Sequence, residues 1–374
     1  MNKYLQYIVY ALIVGALTYT FGCGGSSPAT TTTTTLPSAS WQGIGGGTDA
    51  PVYALIFDNS GYLIAGGSFT NASGIADTSY VARWNGSRWE PLGKGLNGTV
   101  YVLAKDSHGY IYAGGTFSIA HNSSGDVAAS NLARWTGTAW EAVGGGVNGD
   151  VYALAIDPSD NLYVGGSFTS AGGTIVQNVA EWDGLAWRNL AGGTDSPVHS
   201  LSYDATYKLI AGGAFLNTVS GVSAKRIARW NGASWSDLSS GRDYYINATV
   251  TVTTNVFAAG ALIDTSDKRI MARWDGTSWE QLAVGTAVGD SVNALVADSL
   301  GKVYVAGKFA TAGGVTVNGL TAYDGATWEA FGGGLDGNLV RAVALDASGN
   351  IYVGGDFSKA GGVSVSYIAK YNKS

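Results

Sequence analysis

The chain has 374 residues, 46% apolar and 13% charged, with 56 glycines; charged residues stand at about half their usual share, which excludes a disordered or coiled-coil protein. A formal charge of −6 and a pI near 5.0 leave no basic field for a phosphate backbone, so nucleic acid is not an expected partner. Abundant Gly, Ser, Thr, Trp and Tyr predict many short strands joined by tight turns.

At the N-terminus Lys3 precedes an uncharged, largely apolar run from Tyr4 to Phe21, then Gly22 and Cys23, the layout of a signal peptide. Cys23 is the only cysteine, so no internal disulfide exists to explain it. A small residue followed by that cysteine resembles a bacterial lipoprotein signal, although Thr20 stands where that family usually has Leu. The resemblance implies residues 1–22 removed and Cys23 lipidated. Gly24 rather than Asp after the cysteine implies an outer-membrane or surface address. Residues 23–40, with six threonines from Thr30 to Thr35 between Pro28 and Pro37, read as an extended tether.

From Trp41 onward one unit repeats seven times. Its marker is a small pair before an aromatic or apolar residue: Gly66-Gly67, Gly114-Gly115, Gly165-Gly166, Gly212-Gly213, Ala259-Gly260, Ala306-Gly307 and Gly354-Gly355, at steps of 48, 51, 47, 47, 47 and 48 residues. The third copy divides into four strands: A over 151–156, B over 162–168, C over 179–182 and D around Trp187, with Asp183-Gly184 turning C into D. Four antiparallel strands at a period near 48 predict an all-β fold, a seven-bladed β-propeller over residues 41–374 forming one domain. The strand D tryptophans run from Trp41 through Trp89, Trp140, Trp187, Trp235 and Trp279 to Trp328, and the seventh copy has none of its own. Trp41 is therefore expected to complete the last blade and close the ring. Five more tryptophans fall in strand C, so all twelve are periodic and read as packing between blades rather than as ligand platforms.

The unit ending Ile-Ala-Arg-Trp-Asn-Gly, with Gly-Gly-Gly, Val-x-Ala-Leu and Gly-Gly-x-Phe, resembles the repeat of bacterial surface propellers. It is also similar to Rax2-like fungal cortical polarity proteins and, more distantly, to kelch and galactose-oxidase central-domain propellers. The resemblance covers residues 41–374 and implies the fold, not an activity. Galactose-oxidase chemistry needs a Tyr–Cys crosslink, for which this chain has no cysteine beyond Cys23, and sialidase-type Asp boxes are missing.

The chemistry-bearing residues are few. His108 and His121 fall at opposite ends of the second repeat and His199 in the fourth, which disfavours a histidine metal site or a Ser-His-Asp triad. One acidic set, Asp58, Asp106, Asp157, Asp204, Asp298 and Asp346, ends strand A and fits turn chemistry. A second, Asp49, Asn97, Asn148, Asp195, Asp243 and Asp336, lies in the D–A loops; these read as loop turns, with a calcium-type site on Asp49, Asp195, Asp243 and Asp336 as the alternative. No other cofactor is expected.

Where the repeats differ is more informative. The residue after the first Val of strand A is Tyr53, Tyr101, Tyr152, His199, Thr251, Asn293 and Arg341, polar or aromatic among apolar neighbours and expected near the channel mouth. Tyr53, Tyr101, Tyr152, His199, Asn293 and Arg341 are therefore ligand-binding candidates. The fifth repeat carries Gly241-Arg242-Asp243-Tyr244-Tyr245 where others have a short glycine turn, making Arg242, Tyr244 and Tyr245 a candidate recognition loop. The B–C loop over 118–131 is a further candidate. These features favour a lipid-anchored envelope protein whose monomeric head binds a protein or glycan through its top face, without catalysis. The alternatives are a glycan hydrolase or lyase using two carboxylates among Asp195, Asp243 and Asp290, or an architectural surface-layer component.

Overall fold

In the computed structural model the described residues are 39–204, 208–239, 241–261, 270–285, 290–336 and 339–373. Cys23, the expected signal segment and nearly all of the tether lie outside them. Among the described residues every regular element is a β-strand.

The turn chemistry read from the sequence sets the strand boundaries. The first repeat forms a four-stranded antiparallel sheet in the order A-B-C-D, Val52–Phe57, Leu63–Gly67, Val81–Trp84 and Trp89–Pro91. Between A and B, Asp58 Oδ1 accepts the amides of Ser60 and Tyr62. Asp106, Asp157, Asp298 and Asp346 each hold the corresponding turn in the same way. Between C and D, Asn85 accepts the amides two and three residues on, while Gly86 takes φ 95°, a left-handed value that glycine adopts without strain.

The same order recurs, with A strands at Thr99–Lys105, Asp150–Ile156 and Val198–Asp204 in the next three repeats. The fifth and sixth, whose A strands are Tyr245–Val252 and Ser291–Ala297, are joined into one eight-stranded sheet by a single pairing of Ala261 with Ser291. In the last sheet Leu339–Leu345, Ile351–Asp356 and Ile368–Asn372 are followed by Ser40–Gly43 from the other end of the chain, with Trp41 opposite Tyr371.

The B strands are buried along nearly their whole length, as short continuous apolar runs predict. The core lies between adjacent sheets. Each strand C aromatic meets the strand D tryptophan of its own sheet at 4.7–5.6 Å between ring centroids, from Trp84–Trp89 through Tyr323–Trp328 to Tyr371–Trp41. The indole then reaches across the gap: Trp140 Nε1 donates to the Leu92 carbonyl, Trp187 to Gly144, Trp235 to Leu190, Trp279 to Leu238 and Trp41 to Phe331. The periodic tryptophans thus bind sheet to sheet, burying large aromatic area at roughly 2–3 kcal/mol each.

The B–C loops carry two-stranded ribbons that the sequence did not reveal, at 119–128, 170–175, 311–316 and 359–364. The 118–131 loop is one of them and is further tied down: Asn122 exchanges two hydrogen bonds with the Trp140 backbone.

Candidate functional site

One irregularity recurs in all seven repeats and builds the site. In every A–B pair the ladder skips a residue: Val52 pairs with Gly67 and Ala54 with Gly66, leaving Tyr53 as a β-bulge. The skipped residues are Tyr53, Tyr101, Tyr152, His199, Asn247, Asn293 and Arg341. A bulge frees a side chain from strand alternation and re-aims it, which is why these positions vary while their neighbours stay apolar.

The re-aimed side chains converge. Tyr53, Tyr101, Tyr152, His199, Asn293 and Arg341, with Pro197, line one cavity of about 480 Å³. Neighbouring rings touch in series, Tyr53–Tyr101 at 5.9 Å, Tyr101–Tyr152 at 5.7 Å and Tyr152–His199 at 5.7 Å between centroids. The Arg341 guanidinium, from the last repeat, lies 4.9 Å from the Tyr53 ring centre, a cation–π contact. It is also forked onto Asp356, through Nε at 3.0 Å and Nη2 at 2.8 Å. On the far arc, Asn247 Nδ2 donates to the Val292 carbonyl and Asn293 Nδ2 to that of Val340, each stitching its sheet to the next.

Burial, with the hydrogen bond its hydroxyl donates to Asp150 at 2.9 Å, pushes the Tyr152 phenol up to about 12, so it stays protonated. Burial alone pushes the His199 imidazole below its ordinary 6.5, keeping it neutral at neutral pH. The unfolded chain then takes up this proton first as pH falls. Stability from this group is full above about 6.5 and declines as pH drops through that value toward the folded-state pKa. The His199→Gln variant should therefore lose part of the fall in melting temperature between pH 7 and 5; an unchanged slope would refute the assignment.

Two expectations are corrected. The fifth member of the set is Asn247, not Thr251: Thr251 lies four residues further along the strand, paired with Val256, and donates to the Tyr203 carbonyl. Tyr244 is not a recognition residue, being 3% exposed in the core with its hydroxyl on the Ala258 carbonyl. Of the other loop candidates, Arg242 packs over the Trp279 ring at 4.7 Å, and Tyr245 is exposed beneath Arg226. Neither lines the cavity.

The D–A loop oxygens are engaged within their own repeats. Asp49 accepts the amides of Thr70 and Asn71 and the Thr70 hydroxyl, and Asp195 accepts the amides of Leu216 and Asn217. Asp336 accepts the Ser358 hydroxyl, while Asp243 is exposed. These contacts fasten the D–A loops carrying Asp49, Asp195 and Asp336 to the B–C loop ahead. Among the described residues no three acidic, His or Cys side chains gather as a metal site. No carboxylate lines the cavity, and the three proposed for hydrolysis are not among its walls.

Asn247, Asp150 and Asp356 escaped the sequence reading. Asp356 was within reach of it: the residue after each small pair runs Ser68, Thr116, Ser167, Ala214, Ala261, Lys308, Asp356, a second varying series. Ser68 of that series donates to the Tyr53 hydroxyl at 3.3 Å.

A family model described as a beta-propeller domain of unknown function (DUF5122) matches residues 347–374, the B and C strands of the last repeat. No curated protein matches the chain. Among solved structures, the chain is similar to the extracellular domain of a protein described as a hybrid two component system, BT4673, from B. thetaiotaomicron (15% identity, TM-score 0.57). That match covers 90% of this chain and 40% of the other, so the chain spans well under half of that domain. The WD40 beta propeller domain of Doa1 aligns at 11% identity and TM-score 0.58, covering 90% of this chain and 98% of its own. A catalytically inactive virginiamycin B lyase from Staphylococcus aureus, solved with quinupristin, aligns at 10% identity and TM-score 0.56, covering 90% of this chain and all of its own. The fold is a β-propeller.

Proposed function

We propose that the chain is an exported lipoprotein anchored through Cys23, with residues 23–40 as tether and residues 41–374 as a seven-bladed head closed by Ser40–Gly43. The head binds a protein or glycan partner through the channel mouth, without turnover. The observation that carries this reading is the convergence of bulged side chains from six repeats on one cavity. A pocket of this size with an aromatic wall and convergent polar groups from tyrosine, histidine, asparagine and arginine matches small-ligand and chain-end recognition. That one structural neighbour is an extracellular domain fits the exported reading.

The test uses the full chain in detergent micelles, screened by thermal unfolding against glycan and peptide panels. A ligand at a hundred times its Kd should add about 2.7 kcal/mol of stability. That gain should vanish in Arg341→Ala while the unliganded protein stays folded. Stabilisation that survives Arg341→Ala and Tyr152→Ala alike would move the site elsewhere. Labelled palmitate should enter the wild type and not Cys23→Ser; label in both would remove the anchor.

A further inference from the structure

Resting on the mouth-binding reading, we infer that the mouth takes an uncharged, polyhydroxylated ligand, the end of a neutral glycan. Charge is the first argument. The only ionic side chain among the walls is Arg341, and Asp356 already occupies its fork. Behind Tyr152 stands Asp150, accepting the phenol. A sulfate or carboxylate would thus meet no unpaired cation and would approach two half-buried carboxylates standing behind the walls, an unfavourable juxtaposition. His199, held neutral, adds no charge.

The second argument is the unspent hydrogen-bonding capacity. Among the described residues the Tyr101 hydroxyl and the His199 ring nitrogens have no hydrogen-bond partner, and they can donate or accept. On the far arc Asn293 spends its Nδ2 on the Val340 carbonyl, which leaves Oδ1 as a fixed acceptor; Asn247 is held in the same way by Val292. Sugar hydroxyls are donors and acceptors at once and satisfy such a mixed set, whereas a set built for one charge would be uniform. The third argument is shape. Three tyrosines form one wall and His199, Asn293 and Arg341 supply polar groups around it, so a ring with an apolar C–H face and a polar rim fits among them, in a cavity of about 480 Å³.

Calorimetry on the full chain would compare the neutral tetrasaccharides of the malto, cello, xylo and N-acetylchito series with tetragalacturonate and the chitosan tetramer. At least one neutral series should bind, with no measurable heat for the charged pair. Tyr101→Phe, which keeps the ring, should weaken binding by about threefold to tenfold, and Asn293→Ala by roughly as much, the range of a single hydrogen bond. Charged oligomers binding as tightly as neutral ones, or neutral binding unmoved by both variants, would overturn the inference. If no sugar binds, peptides selected by phage display on the same protein separate the two readings. Peptide binding lost in Arg341→Ala overturns the glycan and keeps the mouth; binding indifferent to Arg341→Ala and Tyr101→Phe overturns both.

Discussion

Adding a single methyl group at Gly115 is expected to destabilise the protein by about 3 kcal/mol or more, at the severe end of point substitutions. A Cβ there would sit 1.9 Å from the Thr99 carbonyl oxygen, which belongs to the backbone of the partner strand just before the bulge. Backbone held in a ladder cannot retreat without breaking its own pairings. The second small residue is glycine in all seven repeats, and a Cβ would meet a strand A carbonyl or the one just before it at 1.6–2.3 Å in each. The first position is different. At Gly114 the obstacle is the Val151 side chain of the next sheet, at 2.5 Å, and the fifth and sixth repeats carry Ala259 and Ala306 there. Gly114→Ala should therefore cost only about 1–2 kcal/mol, the usual range for overpacking. Denaturant unfolding of both variants decides the matter: equal losses would show that the strand A carbonyl is not what demands glycine.

Trp41→Ala is expected to cost about 3–5 kcal/mol, as for other large aromatics removed from a core. The indole is 6% exposed, meets Tyr371 edge-on at 5.2 Å and donates to the Phe331 carbonyl of the preceding sheet at 3.0 Å. It is also the main side chain holding Ser40–Gly43 against Ile368–Asn372. Losing that strand would bare a sheet edge, so the variant should self-associate as well as melt early. Trp328→Ala removes a half-buried indole from an outer strand that the Asp324-Gly325 turn keeps joined to strand C, and should do less. Comparable melting and unchanged light scattering for the two variants would contradict this role for the N-terminal strand.

Much of this was legible in the sequence because the chain repeats itself and its copies act as mutual controls. The small pairs, the turn Asp and Asn residues and the two tryptophan series are dictated by contacts that every copy makes. Six of the seven bulged positions were readable as the places where copies disagree. The fifth was misplaced because Ile246-Asn247-Ala248-Thr249-Val250-Thr251-Val252 alternates evenly, and a period of two cannot tell which apolar residue precedes the bulge. Tyr244 misled for a related reason. Its loop departs from the glycine turn of other copies, and a departure in sequence looks the same whether the new side chain turns outward or fills the core. The ribbons in the B–C loops are two residues per strand, too short for any periodicity to register.

The bulges also bear on how such a head changes over time. A bulged residue belongs to neither the ladder nor the packed face, so the fold places few demands on its identity. Tyrosine, histidine, asparagine and arginine already occupy equivalent positions within one chain. Seven such positions, one per repeat, work like the wheels of a combination lock. Those that do not stitch sheet to sheet can turn with little disturbance to the housing, and on the binding role proposed above a new specificity would need only a few single-codon steps at these positions, with the tryptophan and glycine framework left untouched.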